Sequence, residues 1–361
     1  MTGKTGRGWT RLSRAQLRSL AETLLIGLAG GALANALHLP AAWLTGSMLA
    51  VAIAAIRHRP MFIPYRAAQG SFVVMGLAIG AMVTPETLRG IVTWPLSIAM
   101  LIIAMLSIIA GTSWYLRRVH GIDPMSAMLA AFPGSMAQVL VLSAHNGVDA
   151  RAVAVIQSLR VLVLSISMPY AVLLFGVGEP TTIATVPGRH DGSPMEIVLL
   201  LVLCAGGAWL LRRLRFPGGL VLGSMLCAVA LYGSGVVSAV VPQWMVIAVM
   251  VTTGAITGSR FANTDAAVLK RLFIAAIGSL FVATAIAAAF AIATSMMVSV
   301  RTADLVLAFS PGALDVNLLL AIALGLDPIY IGAHHVARVT FVSFCLPILI
   351  RAAQRRAKRK L

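Results

Sequence analysis

Two stretches of this chain are interrupted where a membrane-crossing segment should run on, and both are interrupted in the same way. Residues 123–160 read DPMSAMLAAFPGSMAQVLVLSAHNGVDARAVAVIQSLR, and residues 301–338 read RTADLVLAFSPGALDVNLLLAIALGLDPIYIGAHHVAR. In each, an apolar run meets a Pro-Gly pair, a second apolar run follows, then a Gly-x-Asp turn, then a long apolar helix with an arginine near its middle. Proline removes a backbone donor and clashes with the preceding turn, so each run must break there. The fragments are too short to cross, since crossing takes about 20 residues and runs of about 10–14 suit re-entrant segments.

The two stretches are copies. Pro133 aligns with Pro311, Gly134 with Gly312, Gly147 with Gly325, Asp149 with Asp327 and Arg160 with Arg338, every pair 178 positions apart. Earlier in each half Pro40 matches Pro217 and Gly46-Ser47-Met48 matches Gly223-Ser224-Met225, at a shift of 177. A fixed period holding punctuating and charged residues in register marks a duplication. Broken apolar segments at matching places in two halves point to a transporter binding site.

Composition agrees with a bilayer. Of 361 residues, 59% are hydrophobic and 11% charged, against about 25% charged in soluble domains. The net charge of +17 is concentrated at the ends. Lys4, Arg7, Arg11, Arg14 and Arg18 open the chain, and Arg351, Arg355, Arg356, Lys358, Arg359 and Lys360 close it. Such tails favour cytoplasmic retention and anionic headgroups over nucleic acid. The basic start followed by an apolar run and Ala32-Leu33-Ala34 resembles a cleaved signal, but its partner at 194–214 makes it part of the repeat. Cys204, Cys227 and Cys345 fall in apolar runs as packing residues, without disulfide or metal spacing.

The chain divides into a basic tail (1–19), a first membrane repeat (20–178), a polar Gly, Pro and Thr-rich linker (179–193), a second repeat (194–350) and a second tail (351–361). Spans are expected at about 20–37, 39–56, 62–83, 88–116, a broken 123–145 and 150–175, then 194–211, one opening at 216–226, 241–261, 267–299, a broken 303–324 and 328–350. Gly76 and Gly80, matched by Gly254 and Gly258, predict close helix packing. If each broken segment re-enters, Arg57, Arg59, Arg66, Arg117, Arg118, Arg212, Arg213, Arg215, Lys270 and Arg271 all fall on the cytoplasmic side with both tails, and the near-neutral linker lies outside. Five crossings is an odd number, so the halves would be inverted. The expected fold is therefore an all-α polytopic membrane protein of two inverted repeats, each about five spanning helices plus one broken or re-entrant segment, 10–12 membrane segments in all.

Arg160 and Arg338 lie mid-helix, where burying a charge in the bilayer costs about 2.5–3.5 kcal/mol on insertion scales. One reading is an anion clamp, helped by the free N–H groups of the half-helices that follow Gly134-Ser135 and Gly312-Ala313. The other is that the arginines bind loose carbonyls at the breaks, or Asp315. Gln138 and Asn317 add amides after each break, and Asp315 is a candidate proton or ion site if unpaired. His334 and His335, with Gln157 opposite His335, suit proton relay or hydrogen bonding better than metal, because adjacent helical residues point about 100° apart. Asp149 and Asp327 read as N-caps. No phosphate loop, HExxH, GxSxG or Cys/His ligand spacing occurs, so neither a catalytic site, a metal nor a cofactor is expected.

With LPAAWLTGSML, AFPGSMAQV, GVDARAVAVIQSLRVLV followed by Pro169, FPGGLVLGSML, ITGSRF and AFSPGALDVNLLLAIALGLDPIYIGAHHVAR, the chain resembles the AbrB membrane-protein family, or AbrB duplication family, over nearly all its length outside the tails. The family pattern usually has Pro-Gly-Gly with a nearby Glu. Here the third position is Ser135 or Ala313, and Gln138 or Asp315 stands near the acid. The resemblance implies an integral inner-membrane protein linked to regulation of gene expression. Many members carry the label ammonia monooxygenase. The residues oppose that label, since copper needs clustered ligands and His38, His58, His120, His145 and His190 are scattered. The DNA-binding fold that shares the AbrB name is a small soluble domain and is not this chain.

These readings lead to a non-enzymatic secondary transporter of a small, anionic solute in a bacterial inner membrane. The alternatives are a membrane-embedded regulator and, well behind, a metal-dependent oxidase. The expected partners are the bilayer, a small-molecule solute, anionic headgroups at the tails and, as an option, a second copy in a homodimer; nucleic acid is not among them.

Overall fold

The computed structural model describes residues 13–83, 94–132, 139, 143, 148–174, 190–214, 216, 218–262 and 266–358. Within them the chain is helical throughout, apart from one pair of two-residue strands. The first half contains α1 (Arg14–Ala36), α2 (Ala42–Ile56), α3 (Tyr65–Gly80), α4 (Trp94–His120), α5 (Pro124–Ala131) and α6 (Ala150–Leu174). The second contains α7 (Pro194–Arg213), α8 (Gly219–Gly233), α9 (Gln243–Ser259), α10 (Ala266–Ser295), α11 (Thr302–Phe309), α12 (Leu314–Ala323) and α13 (Pro328–Lys358). Between the halves, β1 (His190–Asp191) pairs in parallel with β2 (Ala239–Val240), His190 opposite Ala239.

The protein is an all-α polytopic membrane protein. Helices α1, α4, α6, α7 and α10 are long and apolar enough to cross a bilayer. The exposed side chains on α1 and α7 are largely apolar, among them Leu25, Leu33, Val202 and Trp209, which suits a lipid surface and not water.

The expected helices form with shifted ends. Ser13 caps α1 through a capping box with Gln16, so Arg14 and Arg18, expected in the tail, belong to the first turns of the helix. Ser193 and Glu196 form the same box at α7, which makes the last residue of the linker a helix cap. At the other end α13 runs on to Lys358, into the segment expected to be a tail.

Several contacts of the first half have counterparts in the second. Helix α1 lies on α2 as α7 lies on α8, and α2 lies on α9 as α8 lies on α3. Helix α4 packs on α10, α5 packs on α4 and α6, and α11 packs on α10 and α13. The glycine pairs permit the cross-half contacts. A Cβ on Gly76 or Gly80 would run into the backbone of α8, and one on Gly254 or Gly258 into the backbone of α2. The close packing read from the sequence is therefore present.

Backbone strain follows the period as well. Ala41 before α2 has φ 52° and Gly218 before α8 has φ 67°. His58 after α2 has φ 60° and Gly235 after α8 has φ 73°. Both pairs are 177 apart. The second half uses glycine for the left-handed conformation, whereas the first forces it on residues with a Cβ.

Candidate functional site

The second break is described throughout. Helix α11 ends at Phe309, and Ser310, the residue before Pro311, is extended at φ −53° and ψ 130°, as a residue preceding proline is driven to be. Ala313 is extended too, and α12 starts at Leu314 with no side chain capping it. Arg338 bridges the gap. Its Nη1 donates to the Ser310 carbonyl at 2.5 Å and its Nη2 to the Gly312 carbonyl at 2.6 Å.

The first half uses the same device. Arg160 Nη2 donates to the Phe132 carbonyl at 3.0 Å, and its Nη1 lies 3.3 Å from the carbonyls of Ala130 and Ala131. Phe132 and Ser310 are 178 apart, like the arginines. The neighbouring position repeats the match. Gln157 Nε2 donates to the Leu129 carbonyl at 2.9 Å, while His335 Nε2 lies 3.3 Å from the Leu307 carbonyl. A helix end inside a membrane leaves carbonyls without partners, and each arginine satisfies them with a charge that suits the negative end of the dipole.

Of the readings open for the arginines, the carbonyl one is therefore built, and no ion pair joins Asp315 to Arg338 among the described residues. The arginines are nonetheless only partly used. Both are 3% exposed, and the Nε of each is buried with no acceptor. Both line one cavity of about 640 Å³. Gln157, Gly312, Ala313 and the half-buried Asp315 line it with them, so the structure brings these predicted residues together. Gly134, Ser135 and Gln138 lie outside the described residues.

Three predicted residues stand away from the cavity wall. Asn317 and His335 sit behind the break, with their side-chain nitrogens 3.0 Å apart. His334 turns the other way, its Nε2 2.8 Å from Ser97 Oγ on α4 and its Nδ1 2.9 Å from the Tyr330 carbonyl. The two rings thus serve different partners. Asp327 caps α13 through the N–H groups of Ile329 and Tyr330, and Asp149 accepts from Ala152 N–H at the start of α6, as the sequence led us to expect.

Other cavity residues escaped the sequence reading. Arg212 at the end of α7, Arg260 at the end of α9, and Tyr65, Phe72 and Phe216 complete the wall. Arg212 lies over the Tyr65 ring, 5.7 Å from its centroid. Phe216 and Arg260 were visible in the FPGG and ITGSRF motifs, but nothing in their spacing joined them to the breaks. A buried carboxylate was missed as well. Asp304, 2% exposed, accepts from Arg301 Nε at 2.7 Å and from Asp327 N–H at 2.8 Å, tying the first turn of α11 to the turn before α13.

The family model described as "Transition state regulatory protein AbrB" matches residues 43–354, which include both arginines and every described cavity residue. The chain belongs to the AbrB family. It is 26% identical over 319 residues to "Putative regulator AbrB" of Escherichia coli K12, covering 88% of this chain and 91% of that protein. It is 24% identical over 353 residues to "Uncharacterized protein YhjN" of Bacillus subtilis 168, covering 91% of each. The family resemblance drawn from the motifs is thus established, and the match runs across both halves.

Proposed function

We propose that this AbrB-family protein is a secondary transporter of a small anionic solute. The observation that supports it is the cavity of about 640 Å³ at the second break, lined among the described residues by four arginines against one carboxylate. In this reading the halves are inverted, both termini are cytoplasmic, and the membrane is the bacterial inner membrane. Tyr65, Arg212 and Arg260 stand at helix ends that carry the clustered positive charge, so the cavity faces the cytoplasm. Arg160 and Arg338 hold the solute with their remaining donors. Asp315, backed by His334, His335 and Gln157, exchanges the coupling proton or ion. The basic ends rest on anionic headgroups, no enzymatic step is involved, and a homodimer is compatible with the fold.

The test is anion flux into proteoliposomes. Uptake should be present in the parent protein and reduced at least tenfold in Arg160→Lys and Arg338→Lys. A null result across a broad anion set would end the proposal. The topology is tested separately by placing a single cysteine at Ser193 in a Cys-free chain; labelling only from the cytoplasm would remove the inverted arrangement. The regulator reading is favoured by one observation, the printed name of the Escherichia coli relative. It predicts altered transcript levels on deletion with no flux.

A further inference from the structure

We infer that the cavity selects organic anions with an apolar body over inorganic anions. This rests on the anion-site reading above and specifies its ligand. The first argument is charge. Among the described lining residues Arg160, Arg212, Arg260 and Arg338 stand against one carboxylate, Asp315, and this positive surplus favours an anionic solute.

The guanidinium groups of Arg160 and Arg338 already donate to carbonyls, and each keeps a buried Nε–H without an acceptor. A buried donor left unpaired is destabilising, so an acceptor that reaches either guanidinium is favoured there. The further arginines are of a different kind. Arg212 is exposed and stacked on Tyr65, so its charge is screened by solvent and serves to steer anions to the mouth.

The second argument is the wall between mouth and floor. Phe72, Val161, Leu220, Val221 and Val339 supply it. Tyr65 at the mouth and Phe72 are seven residues apart on α3, or about 10 Å along a helix. An apolar belt of that length gives nothing to a chloride, phosphate or acetate ion. The volume of about 640 Å³ falls within the roughly 300–1,000 Å³ of pockets that enclose organic ligands.

The experiment is calorimetric titration of the full-length protein in detergent. The probes are chloride, phosphate, the carboxylates acetate, butyrate, hexanoate and phenylacetate, and hexanamide as an uncharged control for micelle partitioning. Affinity should rise up to about fourfold per methylene from acetate to hexanoate, with phosphate and hexanamide at least tenfold weaker than hexanoate. Phe72→Ala should flatten the chain-length series.

A flat series, or phosphate binding as well as hexanoate, would overturn this inference and leave an anion site in place. Absence of binding by every probe would overturn the inference and the anion site together. Binding in the predicted order without flux would support the inference and remove the transport reading.

Discussion

Replacing Arg338 by lysine separates what the arginine does for the fold from what it does for charge. Lysine keeps the positive charge, so the insertion cost of about 2.5–3.5 kcal/mol is retained. It cannot keep the geometry. The Ser310 and Gly312 carbonyls are held at 2.5 and 2.6 Å by two nitrogens of one planar group, whereas an ammonium is a single point of donation. One carbonyl therefore loses its partner at a site where Arg338 is 3% exposed. A charge-assisted hydrogen bond contributes about 1.5–3 kcal/mol, and an orphaned buried acceptor costs about 1–3. These describe the same loss and are not summed, so the expected destabilisation is about 1.5–3 kcal/mol. Reversible unfolding by SDS in mixed micelles, followed by tryptophan fluorescence, measures it. Arg160→Lys should fall at the lower end, because its bonds of 3.0–3.3 Å are longer. An Arg338→Lys protein within about 0.5 kcal/mol of the parent would refute the claim that the arginine holds the break together, since additive surface changes are of that size.

Three further outcomes follow from the geometry. Gly76→Leu should disrupt the α3–α8 contact by at least about 1–3 kcal/mol, because its Cβ meets backbone and not a movable side chain; the same unfolding assay reads it. Gly235→Val should lose about 1–2 kcal/mol at φ 73°, whereas His58→Gly at the equivalent position should change stability by less than about 1 kcal/mol, since relieved strain is offset by added freedom of the unfolded chain. Asp304→Ala should cost about 1–3 kcal/mol by leaving the Asp327 N–H without its acceptor and the exposed Arg301 without its partner, and Asp304→Asn should recover part of that loss.

Much of the fold was legible because membrane chains carry loud local signals. Proline and glycine positions located both breaks and the cross-half helix packing. Asp327-Pro328 located the start of α13. The arginine pair was found because an internal charge in an apolar helix needs an explanation. The sequence left its partner open, since carbonyls are present at every residue and spacing along α13 does not say which one lies across the gap. The mouth of the cavity was illegible for a related reason. Arg212 and Arg260 look like ordinary interfacial charges at helix ends, and only the cavity they line together with the break gives them a common space. Asp304 was hidden because Arg301, three residues before it, reads as a solvated helix-end pair, yet the carboxylate is buried.

Comparing the two halves position by position separates scaffold from chemistry. The carbonyl contacts made by Arg160 and Gln157 recur at Arg338 and His335, and the left-handed turns recur even where alanine and histidine replace glycine. Several polar groups do not recur. At the 178 shift His334 stands opposite Ile156, Asn317 opposite Val139 and Asp315 opposite Ala137. A carboxylate or imidazole in an apolar interior costs more than the isoleucine, valine or alanine that serves the same backbone in the other half. The first half shows that the staple needs none of them at these positions. Their presence in the second half alone is then not required by the fold, and variants there, His334→Ile and Asp315→Ala above all, should disturb solute handling more than stability.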